Sequence, residues 1–184
     1  YHYGTESSVA CRKGSLLAEQ LVFGCEYAGG GCGPKTKSFM VMATNGAWSK
    51  PHGWWNMISA AKQRGVNIIV IDARRTKVAE LATIHLQPKQ GTDAALGAGI
   101  CRVLFEEGLY NKPFCDKWVY GVEEYRNYCK DFTPEKTEAI TGVPADLIVK
   151  AARMYAEGPG SFALTSQSLS HSRNGVNSAR ALLN

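Results

Sequence analysis

In Asp72-Ala-Arg-Arg-Thr76 a carboxylate, a guanidinium and a hydroxyl alternate at Asp72, Arg74 and Thr76. A carboxylate there can accept hydrogen bonds from ribose hydroxyls or from a guanine edge, and a forked guanidinium grips phosphate. Gly91-Thr92-Asp93 precedes an apolar stretch of helical period, where free backbone N–H groups and the helix dipole favour an anion. Upstream, Ala43-Thr44-Asn45-Gly46 combines small residues, which let a ligand approach the backbone, with an amide able to hydrogen-bond to it. Cys11 lies beside Arg12 and Lys13 near the start of an apolar helix expected over Leu16 to Phe23. That surrounding favours thiolate, and with it a nucleophile or a soft metal ligand. His171, in Ser168-Leu-Ser-His-Ser-Arg-Asn-Gly175, comes after an expected strand and is placed as a candidate catalytic group.

The elements that must position these groups read as α/β. Continuous apolar runs at Ser38 to Ala43 and Asn67 to Asp72 predict strands buried on both faces. Between them, Trp54 to Arg64 predicts a helix with Trp55, Ile58, Ala60 and Ala61 inward and Gly65 as its stop. Strand, helix, strand makes the two strands parallel. The same logic predicts a short strand at Ile84 to Leu86 and another at Ser161 to Thr165. Helices are expected over Thr92 to Glu107, capped by Thr92 or Asp93, and over Lys112 to Val119, Val122 to Lys130, Pro134 to Thr141 and Pro144 to Glu157. The fold class is a parallel sheet with helices on both faces, a Rossmann-like dinucleotide-binding arrangement. In such a sheet ligands bind beyond the carboxyl ends of the strands, so the loops after Ala43 and Asp72 form the expected site.

Composition narrows the function classes. Hydrophobic residues at 45% and charged residues at 20% suit a packed domain. The net charge of +5 is scattered rather than gathered with aromatics on one face, which argues against a nucleic-acid partner. No apolar run approaches the roughly 18 residues of a membrane span. The six cysteines, Cys11, Cys25, Cys32, Cys101, Cys115 and Cys129, form no Cys-x-x-Cys pair, so reduced thiols are expected and a zinc or iron–sulfur centre held wholly by these residues is not. Cys101, Cys115 and Cys129 read as core side chains. Trp48, Trp54 and Trp55 read as packing. Gly29-Gly30-Gly31-Cys32-Gly33 precedes a strand instead of coming after one, which disfavours a standard NAD site. The residues taken alone leave open a metal-free nucleotide-binding α/β module.

Val70-Ile-Asp-Ala-Arg-Arg-Thr76, Ala79, Ala82, His85-Leu86 and Gly91-Thr-Asp-Ala-Ala-Leu96 resemble the Asp-Pro-Arg-x-Thr and Pro-Gly-Thr-Asp-x-Ala-Leu signatures of molybdopterin oxidoreductases of the dimethyl sulfoxide reductase superfamily. Glu106-Glu-Gly-Leu-Tyr-Asn-Lys-Pro-Phe114, Thr133-Pro-Glu135 and Thr141-Gly-Val-Pro144 extend the likeness over nearly the whole chain. Ala73, Gly46 and Gln90 stand where the family signatures carry proline. The resemblance implies that Cys11 ligates molybdenum or tungsten. It also implies that Thr44, Asn45 and Gly46, with Asp72, Arg74, Thr76, Gly91, Thr92 and Asp93, hold one guanine-dinucleotide arm of a bis(molybdopterin guanine dinucleotide) cofactor.

On this resemblance the chain is expected to be an internal fragment of a catalytic subunit, with a metal-ligand loop and helix over 1–33 and the α/β cofactor-binding portion over 34–184. The reaction implied is two-electron oxo or sulfur transfer on a small-molecule substrate. A 4Fe-4S cluster is expected in the full-length protein outside these residues, and an iron–sulfur electron-transfer subunit as partner. Arg12 stands where formate dehydrogenases carry His, which counts against formate. Arg74-Arg-Thr-Lys-Val-Ala-Glu80 resembles the acetylene hydratase branch, which makes non-redox hydration at tungsten the alternative chemistry.

Overall fold

The computed structural model of the chain describes residues 13–25, 31–158, 160–171 and 173–183. Four strands, β1 (Ser38–Met42), β2 (Asn67–Ile71), β3 (Ile84–Leu86) and β4 (Ser161–Thr165), form one sheet in the order β3-β2-β1-β4. Every pairing is parallel, with Phe39 opposite Ile68 and Phe162, and Val70 opposite His85. Central β1 is buried at every position, as its unbroken apolar run requires.

Alternation along the strands divides the core into two layers. Met40, Met42, Ile69, Ile71, Ile84 and Leu86 face α5 (Asp93–Glu106) and α9 (Ala145–Ala156), against Leu96, Ile100, Ile148, Ala151 and Ala152. Phe39, Val41, Ile68 and Val70 face α3 (Asn56–Gln63) and α4 (Lys77–Glu80), against Ile58, Ala61, Val78 and Ala79. Each fully buried Ile, Leu or Phe stabilises by about 1.5–3 kcal/mol. Helices therefore cover both faces, as the sequence pattern predicts.

Of the remaining helices, α7 (Val122–Cys129) and α8 (Pro134–Thr141) pack on α5, and α6 (Lys112–Trp118) precedes them in the chain. A Cβ on Gly99 would lie 2.6 Å from the Thr137 hydroxyl oxygen, so α8 can approach α5 only over a bare backbone. At the ends of the described chain, α1 (Lys13–Phe23) packs on α10 (Gly175–Leu183) and on a 3₁₀ turn (Gln167–Ser170), where the Ser15 hydroxyl donates to Ser170 Oγ at 3.0 Å.

Several expectations need correction. Both long strands end one residue earlier than their apolar runs, because Ala43 takes a left-handed φ of 51° and Asp72 turns away. The first crossover is not one helix from Trp54. A short helix α2 (Gly46–Ser49) and a π-helical turn (Pro51–Trp55) precede α3, with the Trp55 N–H reaching back to the Lys50 carbonyl at 3.3 Å. Ala60 is exposed, since it lies two residues from Ile58 and about 200° round the axis. Trp48 is 88% exposed and packs in no core. The described cysteines are free thiols; Cys129 is buried, Cys101 and Cys115 partly so, and Cys25 exposed.

Candidate functional site

Because β1 and β2 are parallel neighbours in register from Ser38↔Asn67 to Met42↔Ile71, their carboxyl ends deliver two loops side by side. The first loop leaves β1 at Ala43, whose N–H donates to the Ile71 carbonyl at 2.8 Å and whose carbonyl accepts from the Ser168 hydroxyl. Thr44 comes next at 3% exposure, then half-buried Asn45. Thr44 Oγ1 and Asn45 Oδ1 are both buried with no hydrogen-bond partner among the described residues. A buried polar atom left unmatched costs about 1–3 kcal/mol, so such a pair at a strand tip marks a place where a partner is expected. Gly46 follows, buried at the start of α2. Its missing side chain makes room for the π-helical turn, since a Cβ there would lie 3.1 Å from Trp54 Cβ and 3.2 Å from the Trp55 nitrogen.

The second loop folds round Asp72. Its carboxylate Oδ1 accepts the Arg74 N–H at 2.8 Å, and its own N–H donates to the Leu86 carbonyl at 3.1 Å. The Arg74 guanidinium stands 4.0 Å from the same carboxylate and is 75% exposed against 9% for Asp72. An ion pair with one partner so exposed holds the guanidinium only weakly, so Arg74 is free to reach an anion over the rim. Thr76 is buried and caps α4, its hydroxyl oxygen accepting the Ala79 N–H at 3.3 Å.

The third loop brings Gly91 to Asp93 to the same rim. Gly91 has φ +81°, a turn that favours glycine, and leads into α5. Thr92 occupies the N-cap position but does not cap; its hydroxyl turns back to the Lys89 carbonyl at 2.6 Å. The opening N–H groups of α5 thus receive no side-chain cap from Thr92. Burial pushes the Asp93 carboxyl above the ordinary carboxylate range; its own backbone N–H pulls it down, and the negative charge of Asp72 adds to the rise. Asp72 and Asp93 therefore lie near enough for one charge to act on the other.

The exit of β4 completes the rim on the other side of β1. Ser168 touches the Ala43 carbonyl, and exposed His171 closes the 3₁₀ turn, its N–H donating to the Ser168 carbonyl at 3.3 Å. Cys11 lies outside the described residues. Among those residues no three His, Cys, Asp or Glu side chains gather to hold a metal, and no helix is long and apolar enough to cross a membrane. Sequence reasoning named the loop from Ala43 but gave Ser168 and His85 no part in this rim. Only His85, a polar residue inside an apolar strand, left a signal in the sequence.

The titratable cluster away from the rim is chemically quiet. Burial pushes the Cys129 thiol up to about 12, Cys101 rises for the same reason, and buried Tyr125 beside them rises too. Thiols held protonated in this way are poor nucleophiles.

No protein-family model matches this sequence. Known proteins do. Acetylene hydratase of Syntrophotalea acetylenica is 44% identical over 115 residues, 60% of this chain and 16% of the relative. Formate dehydrogenase H of Escherichia coli is 39% identical over 127 residues, covering 69% of this chain and 18% of the relative. The solved structure of acetylene hydratase from Pelobacter acetylenicus superposes with a TM-score of 0.85 at 31% identity, over 96% of this chain and 24% of that one. The chain belongs to the dimethyl sulfoxide reductase superfamily of molybdopterin oxidoreductases. It spans less than a quarter of the length of these relatives.

The relatives are molybdopterin enzymes, and the polar groups at the rim are of a kind that could meet such a cofactor. Thr44 Oγ1 and Asn45 Oδ1 lack partners among the described residues, Asp72 and Asp93 stand on the neighbouring loops, and the Arg74 guanidinium is exposed beside them.

Proposed function

We propose that this chain is part of the catalytic subunit of a molybdenum or tungsten bis-pterin oxidoreductase, and that its strand-exit rim holds one guanine-dinucleotide arm of the cofactor. The observation that carries the reading is the pair of unpartnered buried atoms, Thr44 Oγ1 and Asn45 Oδ1, side by side with the Asp72–Arg74 turn. Asn45 Oδ1 would accept from an exocyclic amino group, and the Thr44 hydroxyl would match one further polar atom. Asp72, with Oδ1 already engaged by the Arg74 N–H, would offer Oδ2 to a ribose hydroxyl or a guanine edge. Arg74 would close over phosphate, and Gly91 and Thr92 would let an anion approach the start of α5. Asp93 would share the guanine edge with Asp72, Thr76 would hold the loop through its cap on α4, and Gly46 would seat the first loop against the π-helical turn.

Cys11 is proposed as the thiolate ligand of the metal, and His171, on the β4 side of the rim, as a group that meets substrate. The bound cofactor supplies two-electron oxo- or sulfur-transfer chemistry; the chain's own residues orient it and exclude water. In the full-length protein an N-terminal 4Fe-4S cluster and an electron-transfer partner subunit complete the proposal.

Metal analysis of the full-length protein purified anaerobically is the direct test. Molybdenum or tungsten in stoichiometric amount, lost or altered in Cys11→Ser, is the expected result. Folded protein lacking both metals would instead favour a metal-free nucleotide-binding module, in which Cys11→Ser leaves ligand binding untouched.

A second reading has specific support: the 44% identity to acetylene hydratase and the close superposition on its fold favour non-redox hydration at tungsten. Turnover of acetylene to acetaldehyde without any electron acceptor would select it; acceptor-dependent turnover would exclude it.

A further inference from the structure

We infer that His85 is a positioning residue for the Asp72 loop, fixing the turn that aims Asp72 and Arg74 at the cofactor arm. The inference rests on the functional reading above and adds a residue to it.

β3 is only Ile84-His85-Leu86, and Ile84 and Leu86 both enter the core beneath α5. His85 therefore points to the opposite face of the sheet, beside Val70, where every neighbouring strand position carries an apolar residue. An imidazole in an apolar pattern breaks a local rule, and such breaks concentrate at functional positions. Here the ring has one specific partner. Nε2 lies 2.9 Å from the Asp72 carbonyl oxygen, two residues beyond its register partner Val70. A carbonyl can only accept, so Nε2 carries the proton in this bond.

That bond acts on the backbone where it matters. Asp72 is 9% exposed, so its carbonyl has little water to turn to. Holding the carbonyl sets the peptide plane between Asp72 and Ala73 and hence the direction in which Arg74 leaves. Three further bonds complete the brace: the Asp72 N–H to the Leu86 carbonyl at 3.1 Å, the Arg74 N–H to Asp72 Oδ1 at 2.8 Å, and Gln87 Nε2 to the Ala73 carbonyl at 3.4 Å. The last is long and weak. Of these bonds, His85 contributes the close side-chain contact that β3 makes to the turn. The short edge strand thus serves as a bracket for the β2 exit, an arrangement in which an outer partner orients the residues that touch the ligand.

The test uses the full-length catalytic subunit purified anaerobically, with metal per chain, nucleotide released by mild acid per chain, kcat per bound metal, and melting temperature as readouts. His85→Phe keeps the ring and removes the donor, and is expected to lower retained nucleotide and metal on the order of tenfold. The molecules that keep cofactor should show unchanged kcat. His85→Gln, whose amide can donate to the same carbonyl, is expected to restore retention. If His85→Phe does not fold, His85→Asn, too short to reach the Asp72 carbonyl, carries the same expectation. Wild-type retention in the donor-less variant, or a loss in His85→Gln equal to that in His85→Phe, overturns the inference. Asp72→Ala separates the two levels. Loss of cofactor there with full retention in His85→Phe removes only the bracket, whereas full retention in Asp72→Ala removes the site assignment beneath it.

Discussion

Thr44 and Thr141 are both buried threonines at the ends of regular elements, and they behave in opposite ways. Thr141 closes α8 with every polar group engaged. Its hydroxyl donates to the Thr137 carbonyl at 2.8 Å and accepts the Val143 N–H at 3.1 Å, and its carbonyl accepts the Lys89 N–H at 2.8 Å. Thr44 closes β1 with its hydroxyl unmatched. Neither burial nor residue type separates a site from a scaffold here. What separates them is whether the surrounding protein has satisfied the polar atom. Thr141 turns its polarity on its own helix and Thr44 leaves its hydroxyl open at the rim, although the helices also hold buried atoms without partners, Ser59 Oγ and Arg102 Nε among them.

The comparison can be broken by parallel substitutions in the full-length subunit, with stability read on the apo form and cofactor retention on protein purified with its cofactor. Thr141→Val removes both a donor and the acceptor of a buried N–H, and is expected to cost about 1–3 kcal/mol, seen as a lower urea midpoint with cofactor retention of the folded fraction unchanged. An unchanged midpoint would mean that the helical layer is not closed in the way described.

Ala43→Gly relieves a left-handed residue at φ 51°, which costs about 1–2 kcal/mol when a Cβ is present, against about 0.5–1 kcal/mol of added chain entropy for glycine. A net gain below about 1 kcal/mol is expected. A loss would show that Ala43 is not strained.

Thr44→Val deletes a hydroxyl that has no partner to lose, so stability should stay within about 0.5 kcal/mol or rise, while cofactor retention falls. Equal destabilisation by Thr44→Val and Thr141→Val would erase the distinction between the two regions.

The smallest effect is expected at Asp93. Its folded pKa is raised, chiefly by burial, so its contribution to folding is fully present at pH below the ordinary carboxylate value of 3.8 and is lost as pH rises through the folded pKa. Asp93→Asn should therefore raise the apo melting temperature slightly at neutral pH, with the advantage vanishing toward acid, and should weaken cofactor retention. A pH-independent difference would assign the effect to something other than the charge.

Much of this molecule was legible in the residues because the signals were local. Unbroken apolar runs at β1 and β2 demanded a sheet buried on both faces, Gly65 ended the first crossover, and the alternation in Asp72-Ala-Arg-Arg-Thr76 marked polar chemistry at a strand tip. Strand order could not be read this way, because β4 reaches β1 from more than a hundred residues away, and neither could the brace between Ser168 and Ala43. The π-helical turn and the exposure of Trp48 were hidden because both depend on how Gly46 meets Trp54 and Trp55. The sequence by itself determined the strands, the long helices, the two core faces and the polar residues at the tips of β1 and β2, since side-chain period and strand-tip position are set by local covalent geometry. Only the tertiary structure decided which of those residues are already satisfied and which are left open. Thr92 turned from a cap to the Lys89 carbonyl, Thr76 became a cap, Thr44 and Asn45 were left unpaired, and His85 acquired its bond to Asp72. A hydrogen bond needs its partner within about 3 Å, and for residues far apart in sequence only the folded chain sets that distance.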